Sequence, residues 1–276
     1  MAPSVEALFV PAAAGGQRFV LHHRPDPRRV KGAVMYLHPF AEEMNKTRRM
    51  VAVQSRALAA AGFSVLQIDL LGCGDSSGDF AEATWSDWLA DARLGIDWLS
   101  SRYPDASLWL WGARAGCLLA AEVAQHIDPA PNLLFWAPVV SGETHLAQFL
   151  RIRAAGEMLD GRGKSGTVAL KRALESGESV DVAGYRLAAA VAKGLGRSRL
   201  QPPPRPVRIA WLDVASRPGA TPAQPTQHLL GAWRAQGHHV HSALVPGPAF
   251  WQTSEIEEAP ELVRATLVAL HETTAT

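Results

Sequence analysis

The chain has 276 residues, of which 47% are hydrophobic and 19% charged, with a formal net charge of +1. That length and apolar share fit one large domain with a sizeable core and exclude a disordered chain. The near-neutral balance gives no electrostatic reason to expect a nucleic acid, and no run is apolar for long enough to span a bilayer.

Residues 6–12 and 17–24 read as two strands around the turn Ala14-Gly15-Gly16. Residues 33–38 are a continuous apolar run, as in a strand buried on both faces. A helix is expected over 45–61, with Asn45 as N-cap and Gly62 as its stop. A second buried strand at 63–70 feeds the loop Leu71-Gly72-Cys73-Gly74-Asp75-Ser76-Ser77-Gly78, and an amphipathic helix runs from Thr84 to Leu99. The apolar run from Leu108 then ends at Gly112-Ala113-Arg114-Ala115-Gly116, and helical spacing resumes at once through Leu118, Leu119 and Val123. A strand follows at 132–138. Strands alternating with helices imply right-handed βαβ units and a mostly parallel sheet.

The alternation stops near Val140. Residues 141–200 carry the glycines Gly161, Gly163 and Gly166, several basic residues and broken periodicity, and read as an inserted cap. After the proline-rich stretch 201–206 the alternation resumes: a strand at 207–214, a helix at 223–236, a strand at 239–245 and a closing helix at 260–272. The expected organisation is a core of residues 1–140 and 201–276 with a cap or lid of 141–200. The nine tryptophans fall mostly at apolar periodic positions and read as core. Two cysteines, Cys73 and Cys117, cannot build a disulfide framework and suit a reducing, cytoplasmic compartment. The stretch Met1–Val10 lacks the basic and apolar regions of a signal peptide.

The strand–turn–helix at 108–124 resembles the nucleophile elbow G-x-S-x-G of the α/β-hydrolase superfamily, in which small flanking residues permit a strained turn that presents one side chain above the sheet. The resemblance covers nearly the whole chain. Asp69-Leu-Leu-Gly-Cys-Gly-Asp-Ser-Ser-Gly78 is similar to the D-x-x-G-x-G-x-S-x-G segment that precedes the elbow, and His38-Pro39-Phe40 to the oxyanion-hole loop after the third strand. The phrases His38–Lys46, Leu66–Asp75 and Trp136–Gly142 resemble the bacterial exosortase A system-associated hydrolases of type 2, a family linked to exopolysaccharide systems. The resemblance implies an α/β-hydrolase fold with an inserted cap. A shared fold does not by itself establish chemistry.

Hydrolysis on such a fold needs a nucleophile, a histidine to take its proton and a carboxylate to orient that histidine. Arg114 occupies the nucleophile position, and a guanidinium stays protonated with no lone pair to attack a carbonyl. The loop expected to hold the histidine, Pro246–Ser254, contains none; Phe250 and Trp251 stand there instead. His238, His239 and His241 lie before that loop and read as edge or surface residues, with no carboxylate or cysteine nearby to make a metal site. Asp213 is close to the expected acid position, but without a histidine it orients nothing. Ordinary serine-hydrolase activity is therefore not expected.

Three functional readings remain. In the first, Arg114, with the backbone N–H groups of Ala115 and Phe40 at a helix N-terminus, binds an acidic small molecule, an acyl or sugar acid, or an acidic partner, near His38, Glu42 and Trp251. In the second, Cys73 is an alternative nucleophile served by His38. In the third, the protein is a structural or scaffolding subunit in which Arg114 pairs with Glu42, Glu43 or Asp75 and plugs its own pocket. Arg151, Arg153, Lys164, Lys171 and Arg172 could steer an acidic ligand or form a solvated face. Glu143 is either a pocket carboxylate or the start of the cap, and Tyr185 is a candidate lining residue. No cofactor and no metal are expected.

Overall fold

A computed structural model describes residues 4–159, 166–217 and 219–272. The start of the N-terminal stretch and the positions Gly161, Gly163 and Lys164 lie outside the described residues. The chain opens with an antiparallel pair, β1 (Ser4–Pro11) and β2 (Gln17–Arg24), followed by β3 (Gly32–Leu37), α1 (Glu42–Ala60), β4 (Phe63–Ile68), α2 (Trp85–Arg102), β5 (Ser107–Ala113), α3 (Gly116–Ala124) and β6 (Asn132–Trp136). An excursion follows, built of α4 (Gly142–Leu159), α5 (Thr167–Glu175), the hairpin β7 (Val180–Val182) and β8 (Tyr185–Leu187), and α6 (Ala189–Arg197). The chain then completes β9 (Arg208–Ala215), α7 (Gln224–Ala235), β10 (His239–Pro246) and α8 (Pro260–Glu272).

Eight strands form one sheet in the order β1-β2-β4-β3-β5-β6-β9-β10. Only β2 runs against its neighbours; the pairings from β4 to β10 are parallel. Every residue of β3 is buried, as a parallel strand covered on both faces requires. The period of two along β5 sorts its side chains. Trp109 and Trp111 pack with Tyr36 and Trp136 on the α1/α8 side. Leu110 faces the opposite side, where α2 and α3 lie.

Local signals set the helix boundaries. Thr84 and Asp87 form a reciprocal capping box at the start of α2. Gly62, at φ +102°, lets the chain turn out of α1. The expected N-cap at Asn45 is incorrect: α1 begins at Glu42, after Ala41 at φ 51°, and Glu42 and Glu43 supply the negative charge its first turn favours. Asn45 instead donates to the Tyr185 hydroxyl at 3.0 Å.

The excursion leaves and returns at one neck, where Leu200 N–H donates to the Val140 carbonyl and Ser141 bridges Arg199. Its broken periodicity conceals an 18-residue helix. The reason is that α4 buries two faces: His145 and Phe149 turn toward Phe40, while Leu146 and Leu150 join the apolar cluster with α5 and α6. Gly194 of α6 lies so close to Trp85 that a Cβ there would come within 2.1 Å of the Trp85 Cβ. Glu143 starts this excursion, exposed and paired with Arg199 and Lys171.

One of the three grouped histidines departs from expectation. His239 is exposed and His241 half-buried, but His238 is buried, its Nδ1 accepting from the Val207 backbone at 3.2 Å as β9 begins. It joins the start of β9 to the approach to β10 and belongs to the core.

Candidate functional site

The turn between β5 and α3 is a sharp corner with Arg114 at its apex, at φ +53°. An L-residue in this region carries strain of about 1–3 kcal/mol. The surroundings impose it. A Cβ on Gly112 would lie 2.5 Å from the Cys117 Cα, and one on Gly116 would lie 2.3 Å from the Leu37 carbonyl oxygen. Only glycine fits at either position, so β5, α3 and the end of β3 are locked together. Arg114 N–H donates to the Trp136 carbonyl at 2.9 Å, and Cys117 N–H donates to the Arg114 carbonyl at 3.1 Å.

The Arg114 side chain is four-fifths buried and held on three sides. Its Nε donates to Glu43 Oε1 at 3.3 Å and its Nη1 to the Ala137 carbonyl at 2.9 Å. Its guanidinium carbon lies 4.9 Å from the centroid of the Trp251 ring, a cation–π arrangement. Nη2 has no hydrogen-bond partner among the described residues. Of the three carboxylates expected as partners, Glu43 is the one engaged. Glu42 is exposed and pairs with Lys46, and the Asp75 backbone donates to Asp69.

A cavity of about 280 Å³ opens over this pair, walled by Phe40, Glu43, Arg114, His145, Phe149 and Trp251. Glu42 and Lys46 stand at it from α1, and Ile152 from α4. Burial pushes the Glu43 carboxyl up, against the pull of Arg114 and then Lys46. Its Oε2 is buried without a hydrogen-bond partner. His145 is 6% exposed, and burial, with Arg114 nearby, pulls its imidazole down to about 4. The ring is therefore neutral near pH 7, and its Nδ1 has no partner.

The structure thus gathers Arg114, Phe40, Glu42 and Trp251 of the expected ligand set around one cavity. Ala115 sits buried behind them at the N-cap of α3. His38 turns elsewhere, lining a smaller cavity with Arg48 and Asp69. Its Nδ1 meets the Pro39 carbonyl at 2.8 Å and its Nε2 accepts from Leu70 N–H at 3.4 Å, so both ring nitrogens serve the backbone. Cys73 is buried, and burial, with Asp69 and Asp91, pushes its thiol up to about 12. Asp213 accepts from the Trp211 indole at 2.8 Å and faces a different cavity, beside Pro222 and Leu230. Tyr185 packs on Phe80. Among the described residues there is no cluster of three or more metal-ligating side chains. No helix among them is long and apolar enough to cross a membrane.

Sequence reasoning did not single out His145 or Lys46. A signal for the first existed: His145, Gln148, Phe149 and Ile152 recur at i, i+3, i+4 and i+7 and form one helix face.

Comparison with known proteins agrees with this architecture. Residues 28–181, more than half of the chain, match the family model for serine aminopeptidase S33, and the chain belongs to that family. It is similar to the human Protein ABHD12B, 29% identical over 109 residues, which cover 38% of this chain. The match spans only 29% of the length of that curated relative. A thermostable carboxyl esterase from Bacillus coagulans, solved in complex with glycerol, superposes with a TM-score of 0.67 at 14% identity, over 99% of both chains. Est1E from Butyrivibrio proteoclasticus, solved with ferulic acid bound, gives 0.66 at 18% identity, over 98% of this chain and all of the other. These likenesses establish the α/β-hydrolase fold.

Proposed function

We propose that this member of the serine aminopeptidase S33 family binds a small organic anion at its elbow and does not hydrolyse an ester or amide there. The observation that carries the reading is Arg114 at the apex of the corner, with the Trp251 ring over its guanidinium where a proton acceptor would have to stand. Loss of a whole triad costs on the order of a millionfold in turnover. A guanidinium offers forked donors to a carboxylate or phosphate, and Nη2 remains for that use. The cavity volume, about 280 Å³, suits a small ligand.

The Arg114–Glu43 pair also supports a self-plugged pocket. The two readings join if the incoming anion takes the place of Glu43, whose raised pKa makes proton uptake and release of Arg114 favourable partners. The cap, the excursion of residues 141–200, supplies one wall through α4. The alternative, a Cys73 nucleophile, lacks a thiolate and a free histidine. On the likeness of His38–Lys46, Leu66–Asp75 and Trp136–Gly142 to exosortase A-associated type 2 hydrolases, we propose that the ligand, an acyl or sugar acid or an acidic partner group, belongs to a cytoplasmic step of an exopolysaccharide system.

Two assays test this. Purified protein should neither cleave p-nitrophenyl butyrate above the buffer rate nor take up a fluorophosphonate label. A panel of sugar acids, short acyl acids and inorganic phosphate should contain a ligand that raises the melting temperature of the native chain and not that of Arg114→Met. Turnover at enzyme-like rates, or a full panel without a shift, overturns the reading.

A further inference from the structure

The cavity contains a second polar feature that recognition of an anion does not use. His145 is 94% buried by its 6% exposure, neutral, and its Nδ1 is unpartnered. Buried polar atoms in folded proteins nearly always have a partner, so a ring that lines the cavity and keeps an unpartnered nitrogen has unfilled bonding capacity. A neutral imidazole carries one N–H donor and one acceptor nitrogen, the complement of a hydroxyl or a carbonyl and a poor match for a second anion. The ring stands edge-on to Phe40 at 6.1 Å, and Phe40 stands edge-on to Phe149 at 5.1 Å. Ile152, half-exposed at 52%, continues the apolar wall. One cavity therefore offers a cation, a neutral hydrogen-bonding ring and an aromatic–aliphatic wall.

Resting on the anion-binding reading above, we propose that the ligand is a small hydroxy or oxo acid with an apolar body. Its carboxylate meets Arg114, its hydroxyl or carbonyl oxygen meets His145, and its aryl or branched alkyl body lies against Phe40 and Phe149. His145 is then the residue that determines specificity within the acids the pocket admits.

The test is calorimetric titration at pH 7 of the full chain with 3-phenyllactate, 3-phenylpropionate and glucuronate. The native protein should bind 3-phenyllactate about 3- to 10-fold more tightly than 3-phenylpropionate, the worth of one neutral hydrogen bond. Glucuronate, which has hydroxyls but no apolar body, should bind more weakly than either. His145→Phe should bind the two phenyl acids equally, and His145→Gln, which keeps a donor and an acceptor, should restore part of the preference. Equal binding of the two phenyl acids by native protein overturns this inference and leaves anion binding standing, as does glucuronate binding most tightly. A preference that survives in a folded His145→Phe also overturns it. If none of the three acids binds, and the wider panel of anions gives no shift either, the anion-binding reading itself falls.

Discussion

Breaking the Arg114–Glu43 pair from either side should give unequal results, and the inequality can be sized from the structure. At 3.3 Å and an effective dielectric of about 20, the attraction is about 5 kcal/mol before solvent screening and side-chain ordering are deducted. The side chains are 19% and 21% exposed, which reduces the measurable coupling to about 1–2 kcal/mol. Arg114→Met also strips the Ala137 carbonyl of its donor and leaves a largely buried carboxylate unpaired, so it should cost about 2–3 kcal/mol. Glu43→Gln keeps an acceptor for Nε and should cost about 1 kcal/mol or less. The double variant should cost less than the two singles together by the coupling energy. Urea unfolding followed by circular dichroism at pH 7.5 measures all four species. Because the Glu43 carboxyl is held above its ordinary range, it takes up a proton earlier than an exposed glutamate as pH falls. The penalty of Arg114→Met should therefore be smaller at pH 5 than at pH 7.5. Coupling below about 0.3 kcal/mol at pH 7.5, the usual scatter for independent sites, would refute the idea that this pair holds the pocket closed.

Arg114→Ser restores an oxygen at the apex, but Trp251 still fills the place of the histidine. The nearest acceptors are Glu43 and His145, the latter held down to about 4 and so a weak base. The variant should therefore remain without measurable p-nitrophenyl butyrate hydrolysis; turnover would show that one of the two serves as the base. Cys73, with its thiol pushed up to about 12, should react with iodoacetamide in the native protein far more slowly than a free thiol, by mass spectrometry, and Cys73→Ser should leave ligand binding unchanged. His22, His23 and His145 are each held down to about 4 by burial, from 6.5. The unfolded chain binds protons there that the folded chain refuses, so stability present above pH 6.5 is lost as pH falls toward 4. The loss is about 3 kcal/mol per histidine at the full shift. The raised carboxyls of Glu43, Asp91 and Asp213 act in the opposite sense, so the readout is the difference between native protein and His145→Phe, whose urea midpoint should fall less between pH 7 and pH 4.5.

What was legible in the sequence follows the range of the forces involved. The sheet could be read because buried parallel strands are unbroken apolar runs, as at 33–38, and because Gly112 and Gly116 mark a corner by steric necessity alone. The α1 boundary was misplaced because the residue before the helix, Ala41 at φ 51°, has no side-chain cap to advertise it. The excursion resisted periodic reading because α4 is buried on two faces. In the site, Arg114 and Trp251 were visible as substitutions in a known pattern. The choice of Glu43 over Glu42 depends on which side of the first turn of α1 faces the corner, and a difference of one residue rotates a helical side chain by about 100°. His145 reaches the cavity from a helix more than thirty positions along the chain: its spacing with Gln148, Phe149 and Ile152 marks a shared helix face, but which cavity that face meets is a long-range matter.

The corner at residue 114 keeps its shape without a nucleophile, since Gly112 and Gly116 and the backbone of β3 impose it from outside. Position 114 is in that sense a socket: any side chain placed there inherits the same backbone tension and the same outlook over the cavity. Exchanges at this position accordingly compare functional groups on a common mount, so a series through Ser, Cys, Lys and Met would rank chemistries with little interference from the frame that carries them.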